Sequence, residues 1–253
     1  MNSRIRDRRQ AVSRQRGRRR ASLLFVLGLL VAAAVLFVWL RSSDVFAVRT
    51  VTATATERIA QEEVSRVASE AIGDNLLRLS TSDLEEALLS LPYVRSAEVY
   101  RSFPNTLDVR LEEYEPVARL QAGDGAVWLM AENGRALEVV VPPRGAGLPL
   151  VVPSADETPV AGQRVSEAVA QALPLAVIMG DENADERLAS AREILVSPSG
   201  ALTIMLKGGT ELRLGDPTKL EQKLMAALQI IDRHLRDGEQ LEYVDATVAD
   251  KLA

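Results

Sequence analysis

The chain has 253 residues, of which 47% are hydrophobic and 26% charged, and its formal net charge is −5. This length and apolar fraction support about two modest domains once a membrane segment is subtracted, which argues against one large catalytic domain. The chain contains no cysteine, which excludes structural disulfides and thiol catalysis.

The N-terminal region combines a basic tail with an apolar run. Residues 1–20 hold nine arginines and one aspartate, a net charge of +8, whereas residues 41–253 hold 21 basic and 34 acidic side chains. Between them, residues 21–40 carry no charge. A helix of that length spans about 30 Å, which matches the hydrocarbon core of a bilayer. We therefore predict a cytoplasmic arginine-rich tail over 1–20 and a transmembrane helix over 21–40.

The charges on either side of the apolar run predict its orientation. Nine arginines precede the run, but only Arg41, Arg49 and Arg58 occur in the twenty residues after it. Because basic residues stay on the cytoplasmic side, we expect a single-pass type II protein with its bulk outside the plasma membrane. A cleaved signal peptide is the alternative, since residues 45–47 loosely resemble a cleavage site. The apolar run is, however, longer than the ~7–15 residues of a signal core.

Two further features of this region bear on its partners. Arginine runs suit nucleic-acid phosphates, but this one lacks interleaved aromatics and adjoins the apolar run. A topology anchor that also contacts anionic lipid explains it more simply, so we predict no nucleic-acid partner. Within the run, Gly28 and Ala32 form a step of small residues that would let a second helix approach closely.

Residues 46–118 predict the order strand, helix, helix, strand, strand. Residues 46–54 are rich in valine and threonine, which favour a strand. Pro92 stops the second helix, and Ser80 or Ser82 is its expected N-cap. The two helices each present one apolar stripe, formed by Val64, Val67, Ala68 and Ala71 and by Leu84, Ala87, Leu88 and Leu91.

A half-buried hairpin follows these helices, with Pro104 and Asn105 in its turn. Its side chains alternate between two faces. The apolar face contains Ala97, Val99, Leu107, Val109 and Leu111, and the polar face contains Glu98, Tyr100, Asp108, Arg110 and Glu112.

The second half of the chain predicts a β-rich domain. Asn133-Gly134 predicts a hairpin turn between strands over 127–131 and 135–141. Pro174 should kink or divide a helical segment over 165–179, and residues 181–187 predict a charged loop. A meander of three strands is predicted over 193–196, 202–206 and 210–214.

A helix and one late strand complete this domain. Asp216 is the expected N-cap and Pro217 the first helical residue, and Gly238 ends the helix. Its apolar stripe is Leu220, Leu224, Leu228, Ile231 and Leu235. Residues 241–248 predict a strand that either leaves an open sheet edge, suited to strand addition by a partner, or is covered by another strand.

Several motifs occur in an order that resembles the FtsQ/DivIB family of bacterial cell division proteins. They are G-D-N-L-L at 73–77, L-P-Y-V at 91–94, the hairpin, and E-P-V-A at 115–118, all behind one anchor. Tyr93 stands where the family often has tryptophan, and Tyr114 where it usually has arginine. The resemblance implies an α+β protein. A POTRA domain (β-α-α-β-β) would occupy 45–114, and a mixed, mostly antiparallel extracytoplasmic β domain 115–253.

The resemblance also implies a function in binding. The protein would be a divisome scaffold, concentrated at the septum, that links early cytoplasmic division proteins to the septal wall-synthesis complex. Its partners would be FtsB- and FtsL-like proteins and other divisome membrane proteins. A membrane-anchored POTRA subunit of a secretion or outer-membrane assembly system is the alternative, although no alternating barrel repeat follows.

The resemblance implies that the strand after the last helix, which carries the matching Y-V-D motif at 243–245, binds the FtsB-like partner. The expected contact positions are Tyr243, Asp245, Thr247, Val248 and Asp250. Related chains can carry a basic and an aromatic residue after this motif, where this chain has Thr247 and Val248. We therefore expect this chain to share the backbone pairing of its relatives at this strand. We do not expect it to share their side-chain contacts.

No pattern predicts catalysis or a cofactor. His234 is the single histidine and lies beside the apolar stripe, which makes a poor transition-metal site. Glu112 and Glu113 are adjacent on a strand and point to opposite faces. The glycine pairs at 123–125 and 145–147 match no phosphate-binding motif. We predict no enzyme, no metal, no cofactor and no small-molecule substrate.

Overall fold

The computed structural model describes residues 24–41, 43–54, 57–141, 145–191, 193–236 and 241–247. Leu24–Arg41 forms helix α1, which has a mean hydropathy of 2.5 and no buried side chains. Its length and composition are sufficient to cross a membrane. Gly28 and Ala32 both lie exposed on this helix.

The chain folds into two compact units. The first consists of Met1–Ala55, Gln61–Glu85 and Glu98–Arg110, and the second of Thr56–Ala60, Glu86–Ala97 and Leu111–Ala253.

The predicted order of strand, two helices and hairpin is confirmed. After a 3-10 turn at Asp44–Phe46, the elements are β1 (Thr50–Ala53), α2 (Gln61–Ser69), α3 (Thr81–Leu89), β2 (Val94–Ser102) and β3 (Thr106–Glu113). The strands form a sheet of order β1-β3-β2, in which β1 runs parallel to β3. Ser80 Oγ accepts from the Asp83 N–H at 3.3 Å, so Ser80 caps α3.

The alternation predicted for the hairpin is also observed. Val99, Leu107 and Val109 are buried, whereas Glu98 and Arg110 are exposed. On α2, Val64 and Ala68 are buried, as their helical spacing requires. The apolar faces predicted for both elements are therefore the ones that form the core.

Eight further strands form a single mixed sheet. They are β4 (Pro116–Gln121), β5 (Val127–Ala131), β6 (Ala136–Val140), β7 (Leu150–Pro153), β8 (Glu193–Val196), β9 (Leu202–Met205), β10 (Glu211–Gly215) and β11 (Tyr243–Asp245). Their order is β11-β10-β9-β8-β7-β4-β5-β6. The pairs β4–β7, β7–β8 and β10–β11 are parallel, and the other four pairs are antiparallel.

Short helices precede the meander. Pro174 divides the predicted helical segment into α4 (Glu167–Ala170) and α5 (Leu173–Gly180), as expected. The prediction of a loop over 181–187 is wrong at its end, because α6 (Glu186–Ala189) begins there. The Asp185 carboxylate accepts from the Arg187 N–H at 2.9 Å and supplies the N-cap.

The last helix, α7 (Leu220–Arg236), begins later than predicted. Lys219 has a φ of +51°, so the helix cannot extend back to Asp216 and Pro217. The Asp216 carboxylate instead accepts from the Thr218 N–H and from Lys223 Nζ, both at 2.9 Å. Lys223 is 2% exposed. It takes part in the buried face of α7, whereas Leu235, predicted there, is exposed.

Candidate partner-binding edge

Strand β11 lies at one edge of the eight-stranded sheet. Its inner side pairs in parallel with β10, with Val244 opposite Leu212. Among the residues that the structure describes, no strand pairs with its outer side. The late strand is thus an edge strand, although it is shorter than the predicted range 241–248.

The hydrogen bonds to β10 determine which backbone groups of β11 point outward. The Glu242 carbonyl accepts from the Glu211 N–H at 2.9 Å, and the Ala246 N–H donates to the Arg213 carbonyl at 2.8 Å. Because backbone groups alternate in direction along a strand, the N–H and C=O of Tyr243 and Asp245 point away from β10. These four groups are the template that an added strand would use.

The core side of β11 fixes the strand in place. Val244 and Ala246 are buried in the same cluster as Leu212 and the α7 residues Leu224 and Ala227. Before the strand, Thr210 Oγ1 donates to the Leu241 carbonyl at 2.8 Å. Burial of the alternate residues orients the side chains of Tyr243 and Asp245 toward the opposite, open face of the sheet.

Four side chains on that open face form a group that we call the edge cluster: Glu211, Arg213, Tyr243 and Asp245. The Arg213 guanidinium carbon lies 4.4 Å from the centre of the Tyr243 ring, within cation–π range. Arg213 also forms an ion pair with Glu211 at 2.7 Å. Tyr243 is 53% exposed, so an aromatic surface remains available for contact.

Hydrogen bonds favour the charged forms of two members of the edge cluster, Arg213 and Asp245. The hydrogen bond from Arg213 to Glu211 raises the pKa of the guanidinium above its usual value. Hydrogen bonds from Thr247 lower the pKa of the Asp245 carboxyl, and the largest effect comes from the Thr247 N–H, which donates at 3.0 Å. The nearby positive charge of Arg213 lowers this pKa further. The edge cluster therefore carries a positive Arg213 and a negative Asp245 at neutral pH, on the same face as the exposed Tyr243 ring.

The predicted contact residues lie at this edge as far as the structure describes them. Tyr243 and Asp245 are exposed on β11, and Thr247 is exposed just after it. Val248 and Asp250 lie outside the described residues. Sequence reasoning missed Glu211 and Arg213, although the alternation around Leu212 and Leu214 places both on the face opposite the core.

The described part of the edge presents main-chain hydrogen-bonding groups that suit an extended segment. Over the residues described, no three histidine or acidic side chains are grouped so as to hold a metal ion. His234 Nδ1 lies 3.0 Å from the Ile230 carbonyl on its own helix. The chemistry available at this edge is thus main-chain hydrogen bonding, supplemented by one aromatic and three charged side chains.

Comparisons with known proteins cover both halves of the chain. A family model described as "POTRA domain, FtsQ-type" matches residues 46–114, and one described as "Cell division protein FtsQ/DivIB, C-terminal" matches residues 118–246. The second match ends just after β11, so it includes Tyr243 and Asp245 of the candidate edge but not Thr247.

Individual relatives agree with these family models. "Cell division protein FtsQ" of Myxococcus fulvus is 31% identical over 83% of this chain and 78% of its own length. The protein of the same description from Anaeromyxobacter sp. is 30% identical over 79% of this chain and 67% of its own length. "Cell division protein DivIB" of Bacillus anthracis is 26% identical over 76% and 68%. The chain therefore belongs to the FtsQ/DivIB family of cell division proteins.

Proposed function

We propose that this protein is a non-catalytic scaffold of the divisome that recruits an FtsB-like partner by strand addition to β11. By binding this partner and an FtsL-like protein, it would link early cytoplasmic division proteins to the septal wall-synthesis complex. The observation that carries the proposal is the outward direction of the backbone groups of Tyr243 and Asp245. Family membership supports the division role.

Main-chain pairing alone limits the affinity that strand addition to β11 can reach. Four backbone hydrogen bonds, each worth about 1 kcal/mol net, give about 4 kcal/mol, which corresponds to a dissociation constant of about 1 mM. Tighter binding needs side-chain contacts. Exposed Tyr243 and its partner Arg213 belong to the residue types that dominate interface energies, so we assign the additional affinity to the edge cluster.

The proposal also includes an arrangement in the envelope. The tail 1–20 would lie in the cytoplasm, 21–40 would span the plasma membrane, and the domains 45–114 and 115–253 would lie outside, concentrated at the septum. The arginine asymmetry supports this orientation, and the extents of the two family matches support the domain division. Gly28 and Ala32 are the proposed helix-packing positions.

A binding experiment tests the edge directly. Asp245→Pro removes the outward N–H and the carboxylate, whereas Asp245→Ala removes only the carboxylate. We expect the full-length proline variant to bind the extracytoplasmic segment of its FtsB-like partner at least about tenfold more weakly than the alanine variant. Equal binding by both variants would exclude main-chain pairing at this position. Unchanged thermal unfolding of both variants would show that the fold is intact.

Imaging tests the division role independently. A fluorescent protein fused to the N-terminus should form a band at mid-cell, and depletion should give filaments or chains of cells. Uniform membrane fluorescence throughout division would contradict the scaffold. It would favour an anchored POTRA subunit of a secretion or outer-membrane assembly system.

A further inference from the structure

Large apolar side chains are exposed in the first unit where helix α1 ends. Val45, Ile72 and Phe103 are 57%, 55% and 57% exposed. Together with the half-buried Phe46 we call them the membrane-proximal tip. Exposed apolar side chains are ordinary when scattered, so their common position beside α1 is what requires an explanation.

The C-terminal end of α1 is held by a side chain of the same unit. Asn75 Nδ2 donates to the Leu40 carbonyl at 3.3 Å and to the Ser43 carbonyl at 3.0 Å. The Ser43 N–H also donates to the Leu40 carbonyl at 3.3 Å. Helix-end carbonyls need such partners, and here one of them is a residue 35 positions along the chain. The folded unit therefore begins directly where the apolar helix ends.

Backbone pairing places Ile72 beside the segment that leaves α1. The Leu76 N–H donates to the Phe46 carbonyl at 2.8 Å, and the Val48 N–H donates to the Asp74 carbonyl at 2.9 Å. The Gly73 N–H, next to Ile72, donates to the Val48 carbonyl at 3.0 Å. Ile72 thus adjoins a segment only a few residues beyond Arg41.

The turn of the β2–β3 hairpin reaches the same segment. The Phe103 ring meets the Phe46 ring edge to face, with centroids 5.9 Å apart. The Arg49 N–H donates to the carbonyl of Asn105 in the same turn at 2.9 Å. Three separate parts of the first unit therefore bring apolar side chains to the end of α1.

The dimensions of a bilayer suit this arrangement. The headgroup layer on each side is about 5–8 Å thick, because the hydrocarbon core takes about 30 Å of a total of about 40–45 Å. Leu40, whose carbonyl is 3.3 Å from the Asn75 side chain, is the last residue of the uncharged run. Trp39 is 60% exposed beside it, and tryptophan prefers the membrane interface.

We propose that the membrane-proximal tip is inserted in the interfacial layer of the bilayer that α1 spans, so that the first unit is anchored to lipid at Val45, Ile72 and Phe103 as well as by its helix. Arg41 and Arg49 at this end are matched by Asp44 and Asp74. The local charge is therefore balanced. Insertion depends on contact between apolar side chains and lipid, whether the headgroups are anionic or have no net charge. The inference goes beyond strand addition at β11 and does not depend on it.

The absence of cysteine makes a direct test possible. Ile72→Cys and Phe103→Cys in the full-length protein would each be labelled with an environment-sensitive fluorophore. Matched controls are Ser65→Cys on α2 and Arg110→Cys on β3, both exposed positions of the same unit. Each protein would be reconstituted in vesicles of phosphatidylethanolamine and phosphatidylglycerol that contain a lipid quencher at headgroup depth.

We expect quenching of the tip labels to exceed that of the control labels by about threefold, with a blue-shifted emission only for the tip. Vesicles of phosphatidylcholine should give the same result. Tip labels that are quenched no more than the controls would overturn the proposal. So would quenching that requires phosphatidylglycerol, since this would indicate attraction to headgroup charge. No partner protein is present in these vesicles, so the readout is independent of the division role.

Discussion

At the scale of single residues, Glu113 has a structural role that its sequence context hides. Its carboxylate accepts from the N–H groups of Glu57, Arg58 and Ile59, at 3.2, 2.8 and 2.7 Å. Charge-assisted bonds of this kind contribute about 1.5–3 kcal/mol, and the substitution removes a charged acceptor from three backbone donors. We expect Glu113→Ala to lower the free energy of unfolding by about 2 kcal/mol in chemical denaturation of the full-length protein.

The neighbouring Glu112 provides the control for this change. Glu112 is exposed and accepts from Ser96 Oγ at 2.8 Å. Glu112→Ala should therefore change the free energy of unfolding by no more than about 0.5 kcal/mol. Equal effects of the two substitutions would show that the bonds to residues 57–59 contribute no special stability.

Asp216 predicts a pH dependence of stability. The bonds from Thr218 and then from Lys223 lower the pKa of its carboxyl in the folded protein, relative to about 3.9 in an unfolded chain. A lowered folded pKa means that the stabilisation is complete above the unfolded pKa and is lost as the pH falls through the folded one.

The stability difference between the parent and Asp216→Asn should therefore be larger at pH 6 than at pH 3, measured as denaturation midpoints. An equal difference at both pH values would contradict the role of the carboxylate charge.

At the scale of elements, Gly215 controls how β11 ends. Gly215 has a φ of +66°, and a Cβ at this position would lie 3.0 Å from Thr247 Cγ2 and 3.2 Å from Thr247 Cβ. Gly215→Ala therefore costs about 1–2 kcal/mol, because alanine disfavours this left-handed backbone conformation. It also displaces Thr247, which follows the strand. We expect faster hydrogen exchange at the Ala246 N–H, which bonds to the Arg213 carbonyl.

A second substitution separates these two causes. Thr247→Gly removes the two side-chain atoms that lie closest to the new Cβ, but it leaves the backbone cost unchanged. In the double variant, the exchange at Ala246 should return toward the rate of the Thr247→Gly single variant. If the Ala246 N–H exchanges as fast in the double variant as in the Gly215→Ala single variant, backbone strain accounts for the whole effect.

Elements defined by local chemistry could be predicted from the sequence. Asn133-Gly134 predicted the β5–β6 hairpin because Gly134 needs a positive φ, which is +87°. Strand β7 was not predicted, since its partners β4 and β8 are parallel and remote in the chain. The predicted start of α7 is also wrong, because the positive φ of Lys219 separates the helix from Asp216 and Pro217.

The candidate edge was only partly accessible to the same reasoning. The Y-V-D motif located β11 at Tyr243–Asp245, but its parallel pairing and its length of three residues depend on packing against β10 and α7. The edge cluster was missed because Arg213 and Tyr243 are 30 positions apart and meet only through strand pairing.

At the scale of the whole molecule, the charge distribution predicts that the two ends of α1 lie in different compartments. Nine arginines precede the apolar run and three follow within twenty residues, so the bulk of the chain is expected outside. Single cysteines test this in the cysteine-free chain: Ser13→Cys in the tail, and Met225→Cys, whose native side chain is 59% exposed on α7.

A membrane-impermeant maleimide should label Met225→Cys when the plasma membrane is intact, whereas Ser13→Cys should react only after lysis. The reverse pattern would place the β11 edge in the cytoplasm and remove it from any extracytoplasmic partner. If the mature protein did not retain residue 13, α1 would be a cleaved signal segment. The membrane-proximal tip would then lose the lipid layer that α1 provides. If the tail is retained and Ser13→Cys is labelled only after lysis, the result supports α1 as a membrane anchor. It also supports an extracytoplasmic position for the β11 edge, where the partner would bind.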